Sequence, residues 1–144
     1  MIKSRLKKLK DQFVKYNLDG YVIPKNDEFF SEYSNKDRLG FISNFRGSAG
    51  YAIILKNKNY LFVDGRYSIQ AKIESGKNFK IIDYKEIRDI KIFKNLNLGI
   101  DPKLFTSDQI KKFFLKNNRV KIINENLVDN IFKAKQKKII PFYS

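Results

Sequence analysis

The 144-residue sequence has no cysteine, no histidine and no tryptophan, a single methionine and only three prolines. Without cysteine there is neither disulfide nor thiol chemistry, and a reducing cytoplasm is the default setting. Without histidine the commonest general base and the commonest transition-metal ligand are both missing. A Ser-His-Asp triad is therefore excluded, and a zinc site of ordinary composition is not expected. The chain by itself is not equipped as a typical hydrolase. Long apolar runs are also absent: none approaches the roughly 18 residues needed to span a bilayer. The basic start, MIKSRLKKLKDQF, is not followed by an uninterrupted apolar segment, so no signal peptide is expected.

Acidic side chains are scarce as well, 15 against 30 lysines and arginines, for a formal charge of +15. Such an excess often marks a partner that is a nucleic acid or an anionic surface. Here most of the basic residues are lysines spread along the whole chain, with asparagine and isoleucine also abundant. AT-rich codon usage gives this composition without any functional cause. Nucleic-acid binding stays as a weaker alternative, predicting a clustered lysine face and affinity that falls steeply with salt. A membrane is not expected as a partner. Hydrophobic content of 42% with 15% aromatics suits one folded domain of ordinary size.

What the chain does have is organised around Phe41 to Ala71, FISNFRGSAGYAIILKNKNYLFVDGRYSIQA. It reads as a Gly-punctuated loop, a strand (Ala49 to Leu55), a polar hairpin (Lys56 to Asn59) and a second strand (Tyr60 to Val63). Asp64-Gly65 stops that strand, and Arg66 opens a segment with helical spacing at Tyr67, Ile69, Gln70 and Ile73. Upstream, Ser4 to Tyr16 carries a helical stripe of Leu6, Leu9, Phe13 and Val14, closed by turn residues from Asn17 to Gly20. Gly20 to Pro24 reads as a buried strand; Asn26 to Tyr33 and Asp37 to Ile42 read as short helices. Downstream, strands are expected at Phe79 to Asp83, Leu96 to Ile100 and Arg119 to Ile123. Helices are expected at Tyr84 to Phe93, Thr106 to Leu115 and Asn126 to Phe132. Alternating strands and helices with one hairpin predict a single α/β domain, a mixed central sheet flanked by helices.

FISNFRGSAG and VDGRYSIQA resemble the N-terminal domain of the aminopeptidase P family, the creatinase/prolidase type of N-terminal domain. GYVIPKNDEFFSEY, GIDPKLFTSDQIKKF and ENLVDNIF extend the resemblance over Ile2 to Lys133, five motifs in the family's order. The resemblance implies that residues 1–133 form such a domain. The basic and then apolar tail, residues 134–144, would connect it to further domains. It implies a parent that is a cytoplasmic Xaa-Pro aminopeptidase, a metallopeptidase releasing the residue before proline with the help of divalent ions, often manganese. The metal ligands would lie in a C-terminal catalytic domain absent from this sequence, so this chain alone would bind no catalytic metal. Expected partners are a peptide with proline second, the protein's own C-terminal domains and, in a homodimer, another subunit. A non-catalytic peptide- or protein-binding module on the same scaffold is the alternative, as in histone-chaperone relatives.

Carried over from the family's DGRY motif, Arg66 would reach the substrate side and help to hold the peptide, for which a planar, permanently charged fork of donors is suited. The plainer role is a salt bridge tying the helix start to the sheet. Asp64 is expected to cap that helix and Gly65 to supply a tight turn with positive φ. Tyr67 reads as a half-buried aromatic against the sheet that could line the same cleft. Gly47 and Ser48 belong to a Gly-Ser-Ala-Gly loop that matches neither a phosphate loop nor a nucleophile elbow. Close backbone packing beside the cleft is its expected use. Asn44 stands where the family commonly has glycine and should tolerate left-handed geometry. Arg46 stands where a small or acidic residue is common. Glu32, Tyr33, Asp101, Pro102 and the segment Asn124 to Asp129 are assigned to domain packing. On an isolated domain Phe29, Phe30, Phe41 and Phe45 could form an exposed patch, which would mark the surface that further domains normally cover. Asp64, Asp101 and Asp129 are not expected to form a metal set.

Overall fold

The strand β1 (Gly20–Pro24, GYVIP) is buried along its whole length, which requires a sheet covered on both faces. The computed structural model, which describes residues 2–24, 38–47, 50–83, 95–105 and 118–131, places it inside such a sheet. The described strands are β1, β2 (Tyr51–Leu55), β3 (Asn59–Val63), β4 (Lys80–Asp83), β5 (Asn97–Ile100) and β6 (Arg119–Ile122). They form one sheet of order β4-β3-β2-β1-β5-β6. β1 and β3 run antiparallel to β2, while β3–β4, β1–β5 and β5–β6 are parallel. The sheet is mixed, as the hairpin required.

Alternation along the strands divides the core into two layers. Tyr21, Ile23, Ala52, Ile54, Leu61 and Val63 point to one face, where they meet Leu6, Leu9, Phe13, Leu39, Ile42, Ala71 and Leu127 from helices. Val22, Ile53, Tyr60, Phe62, Ile82, Leu98 and Ile100 form the other. A one-residue slip would exchange the two sets, so register is strongly specified. In the β2–β3 hairpin Tyr51 pairs with Phe62, and their rings stack at 4.9 Å. Asn59 lies within β3, so the connection is one residue shorter than expected.

The first helical stretch is two helices, α1 (Ile2–Asp11) and α2 (Phe13–Tyr16). At the break, the Gln12 amide nitrogen donates to the Leu9 carbonyl, and its side chain donates to the Leu127 carbonyl at 2.9 Å. Leu6, Leu9 and Phe13 are buried as the spacing predicts, but Val14 is exposed. Asn17 ends α2 in the left-handed region, φ 55°, as its residue type favours. α3 (Arg38–Ser43) is the short helix expected before the central loop. α4 (Ser68–Ser75) crosses over between the parallel strands β3 and β4. Residues 127–131 form the last described helix. The helices expected at 26–33, 84–93 and 106–115, and the tail from residue 132, lie outside the described residues.

Candidate functional site at the carboxyl edge of β3 and β4

β3 ends at Val63, which pairs with Asp83 at the end of the parallel β4. The two strands therefore deliver Asp64 and Asp83 to one edge of the sheet, where ligands tend to sit in α/β folds. Asp64 takes an extended conformation, and its carboxylate accepts from the Arg66 amide at 2.9 Å. The Tyr67 amide donates to the Asp64 carbonyl at 2.8 Å, and residues Gly65–Tyr67 form a single 3-10 turn leading into α4. Asp64 caps this turn, as expected. The Ser68 hydroxyl donates to the Gly65 carbonyl and tightens the junction.

Gly65 requires a correction. Its φ is not positive; Gly50 is the described glycine with left-handed backbone. A Cβ at Gly65 would lie 2.8 Å from the Asp83 carboxylate oxygen. The crowding here comes from the end of the Asp83 side chain, not from turn handedness.

Arg66 projects from the turn with a side chain 78% exposed. Its Nε lies 3.4 Å from the Asp64 carboxylate, and its guanidinium carbon is 5.6 Å from the Tyr67 ring centroid. An ion pair this exposed and this local is worth about 0–1 kcal/mol. Arg66 therefore does not join the helix start to a distant part of the sheet. Tyr67 is partly buried against the core, the half-buried aromatic that was expected.

The Gly-rich loop is fastened to the other end of α4. The Ser75 hydroxyl donates to the Ser43 carbonyl at 2.7 Å, and the Arg46 amide donates to Glu74 Oε1 at 2.8 Å. Gln70, one turn earlier, donates to the same Glu74 carboxylate. Ser43 Oγ bridges inside the loop, donating to the Leu39 carbonyl and accepting from the Phe45 amide. Asn44 sits at φ 66°, the left-handed geometry foreseen for it. A Cβ at Gly47 would lie 2.2 Å from the Phe45 ring, so Gly47 does serve close packing. Ser48, Glu32, Tyr33, Phe29 and Phe30 lie outside the described residues. α4 thus brings the two central motifs into one unit.

The expected aromatic patch is not there for the two members that are described. Phe45 is fully buried, and Phe41 is partly buried beneath Arg5, whose guanidinium carbon stands 4.1 Å from the ring centroid. Asp101 and Asp129 are built into the packing of the domain itself. Asp101 is buried, capping the 3-10 turn Pro102–Leu104 through the Lys103 amide and accepting from Asn126 Nδ2 at 2.9 Å. Asn126 Oδ1 in turn accepts from the amides of Val128 and Asp129, capping the helix at 127–131. Asp129 makes two 2.8 Å bonds to Arg38, whose side chain is wholly buried. Tyr21 accepts from the Leu127 amide, and its hydroxyl is pushed far above its ordinary pKa, chiefly by burial. Nothing local in the sequence marks Arg38 as buried; its partner lies 91 residues away.

No group of three or more acidic, cysteine or histidine side chains among the described residues could hold a metal ion.

The model of the Creatinase/Prolidase N-terminal domain matches residues 5–127. The chain belongs to the creatinase/prolidase N-terminal domain family. Among its relatives, the Probable Xaa-Pro aminopeptidase P of Laccaria bicolor is 37% identical over 90% of this chain and 22% of its own length. The Xaa-Pro aminopeptidase 2 of Rattus norvegicus is 34% identical over 87% of this chain and 20% of its own. The chain thus spans about a fifth of the length of these curated relatives. The solved X-prolyl aminopeptidase of Caenorhabditis elegans, described as a cytosolic enzyme with a di-nuclear active site, superposes with a TM-score of 0.77. It is 25% identical, covering 92% of this chain and 26% of that one. The N-terminal domain of a cytoplasmic peptidase from Mycobacterium tuberculosis, at 21% identity and a TM-score of 0.67, shares the fold over 98% of its length and 89% of this chain. No described helix of this creatinase/prolidase N-terminal domain is long and apolar enough to cross a membrane.

Proposed function

We propose that this domain is the non-catalytic N-terminal part of a cytoplasmic Xaa-Pro aminopeptidase. It forms one wall of the substrate cleft and presents Arg66 to the peptide. The observation that carries this is the combination of a fixed backbone and an exposed head at Arg66. The turn is held by Asp64, Tyr67 and Ser68, yet the guanidinium stands 78% exposed at the carboxyl edge of two parallel strands. A residue there contributes little to folding and keeps its planar donors available for a peptide carbonyl or carboxylate. Residues 1–133 constitute the domain in this reading and 134–144 the connector to the catalytic part, where the divalent metal, taken as manganese, is held. The Asp64–Tyr67 turn and the Gly47–Ser48 loop support the cleft wall.

The test is Xaa-Pro peptide hydrolysis by the whole protein bearing this domain, with added manganese, compared for wild type, Arg66→Ala and Arg66→Lys. The expected result is a fall in kcat/KM on the order of tenfold to a hundredfold for Arg66→Ala, the range lost with a charge-assisted bond. Thermal stability should stay unchanged, and lysine should restore only part of the activity because it lacks the fork. Full activity in Arg66→Ala would return the residue to a local structural role. No hydrolysis by a folded wild-type protein would dismiss the aminopeptidase reading.

A further inference from the structure

The helix α4 has its sides reversed from the ordinary arrangement. Ala71 and Ser75 face the core, while Ile69 and Ile73 stand in solvent at 73% and 79% exposure. Single exposed apolar residues are commonplace. Two large β-branched residues one turn apart, opposite an alanine and a serine, are not what an amphipathic surface helix presents. Arg66 in the turn just before α4, Lys72 on the helix and Lys77 just after it are exposed too.

A second copy of the chain is a poor occupant. Two isoleucines fall well short of the roughly 800 Å² per partner that a stable dimer buries, and self-pairing would set Arg66, Lys72 and Lys77 against like charges. An extended peptide fits better. Side chains one helical turn apart are about 5–6 Å from each other. Alternate side chains of an extended chain are about 6.6 Å apart, at about 3.3 Å per residue. One face of such a peptide can therefore rest successive apolar side chains on Ile69 and Ile73. Lys72 and Lys77 favour a peptide that carries carboxylates. Arg66 stands in the turn just before α4, so a peptide held there by its backbone would be led along the helix.

We propose that the outer face of α4 is a peptide subsite. Ile69 and Ile73 take apolar side chains at alternate positions downstream of the group bound by Arg66, and Lys72 and Lys77 face the peptide's carboxylates. This rests on the Arg66 reading and adds a substrate class to it: extended peptides with alternating apolar residues and acidic groups.

Affinity of the 144-residue chain for two peptides tests it, read by fluorescence anisotropy with the label at the peptide's C-terminal end. One peptide is Ala-Pro-Ser-Leu-Ser-Leu-Glu; in the other both leucines are serine. The leucine peptide should bind about tenfold or more tightly, the effect of burying one to two aliphatic side chains. Ile69→Gln combined with Ile73→Gln should abolish that preference. Both positions are largely exposed, so the variant should keep the wild-type melting temperature. Equal binding of the two peptides, a preference that survives the double substitution, or no binding at millimolar peptide would each overturn the proposal. Arg66→Ala separates the two readings, since it should weaken both peptides alike. A leucine preference that persists while Arg66→Ala changes neither affinity would remove Arg66 from the peptide site and leave the isoleucine strip in place.

Discussion

Removing the carboxylate of Asp129 should be among the most damaging single changes in this domain. Arg38 is 1% exposed and opens α3, while Asp129 sits in the helix at 127–131. Two 2.8 Å charge-assisted bonds join them across 91 residues. Asp129→Ala would take two charge-assisted bonds from a guanidinium that is wholly buried. Breaking a buried pair by removing one partner costs about 3–5 kcal/mol, against a total stability of about 5–15 kcal/mol for a domain. At about 2–4 °C per kcal/mol for a chain near 150 residues, the midpoint should fall by about 6–20 °C. Replacing both partners, Arg38→Met with Asp129→Leu, should recover part of this loss, because neither of these two charges then has to be desolvated. Urea unfolding of wild type, the single variant and the double variant measures all three, and the loss should persist in 0.5 M salt, which screens exposed pairs far more than buried ones. A cost below about 1 kcal/mol for Asp129→Ala, or a double variant as unstable as the single one, would refute the reasoning. α3 leads straight into the loop held by Ser75 and Glu74, so this pair also steadies one side of the candidate site.

Three further outcomes are expected. Tyr21, held neutral by burial, should make stability fall in alkali: above its ordinary value of 10 the unfolded chain releases the proton and the folded chain keeps it. That contributes a loss of about 1.4 kcal/mol per pH unit, to be read as the difference in slope between wild type and Tyr21→Phe in urea melts from pH 9.5 to 11. Lys10, whose folded pKa burial lowers, acts in the opposite sense and is common to both proteins. Gly47→Ala should cost about 1–3 kcal/mol, since its Cβ would enter the buried Phe45 ring, whereas at Gly65 the obstacle is only the end of the Asp83 side chain, which can turn away; paired thermal melts should rank them so. Asp64→Ala should cost about 0.5–2 kcal/mol through the lost cap, while Arg66→Ala should change stability by less than about 0.5 kcal/mol.

Much of the architecture was legible because the strands are short apolar runs bounded by turn residues. Gly20–Pro24 was delimited to the residue, and the remaining strands agree to within one or two. Asp64 was legible as a cap for the same local reason. Faces of helices were read less well. Ile69 and Ile73 have the spacing of a buried stripe, yet α4 turns Ala71 and Ser75 to the sheet. Its orientation is set by the 3-10 turn that precedes it and by the Ser75 and Glu74 bonds to the loop at Ser43 and Arg46. Those are contacts between segments about thirty residues apart, and periodicity carries no information about them.

The sequence by itself determined the family, the strand succession, the mixed character of the sheet and the absence of any histidine- or cysteine-based chemistry. These follow from residue types and local spacing, which act over a few residues. Tertiary structure alone decided that Arg38 and Asp129 are buried partners, that Asp101 and Asn126 join β5 to the last described helix, and that the Asp83 carboxylate lies against Gly65. It also left Arg66, in the turn before α4, and Ile69 and Ile73, on α4, exposed to solvent. Each depends on which segments the sheet order β4-β3-β2-β1-β5-β6 brings together. That order is fixed by burial on both faces of the sheet at once, a property of the assembled chain and not of any one stretch of it.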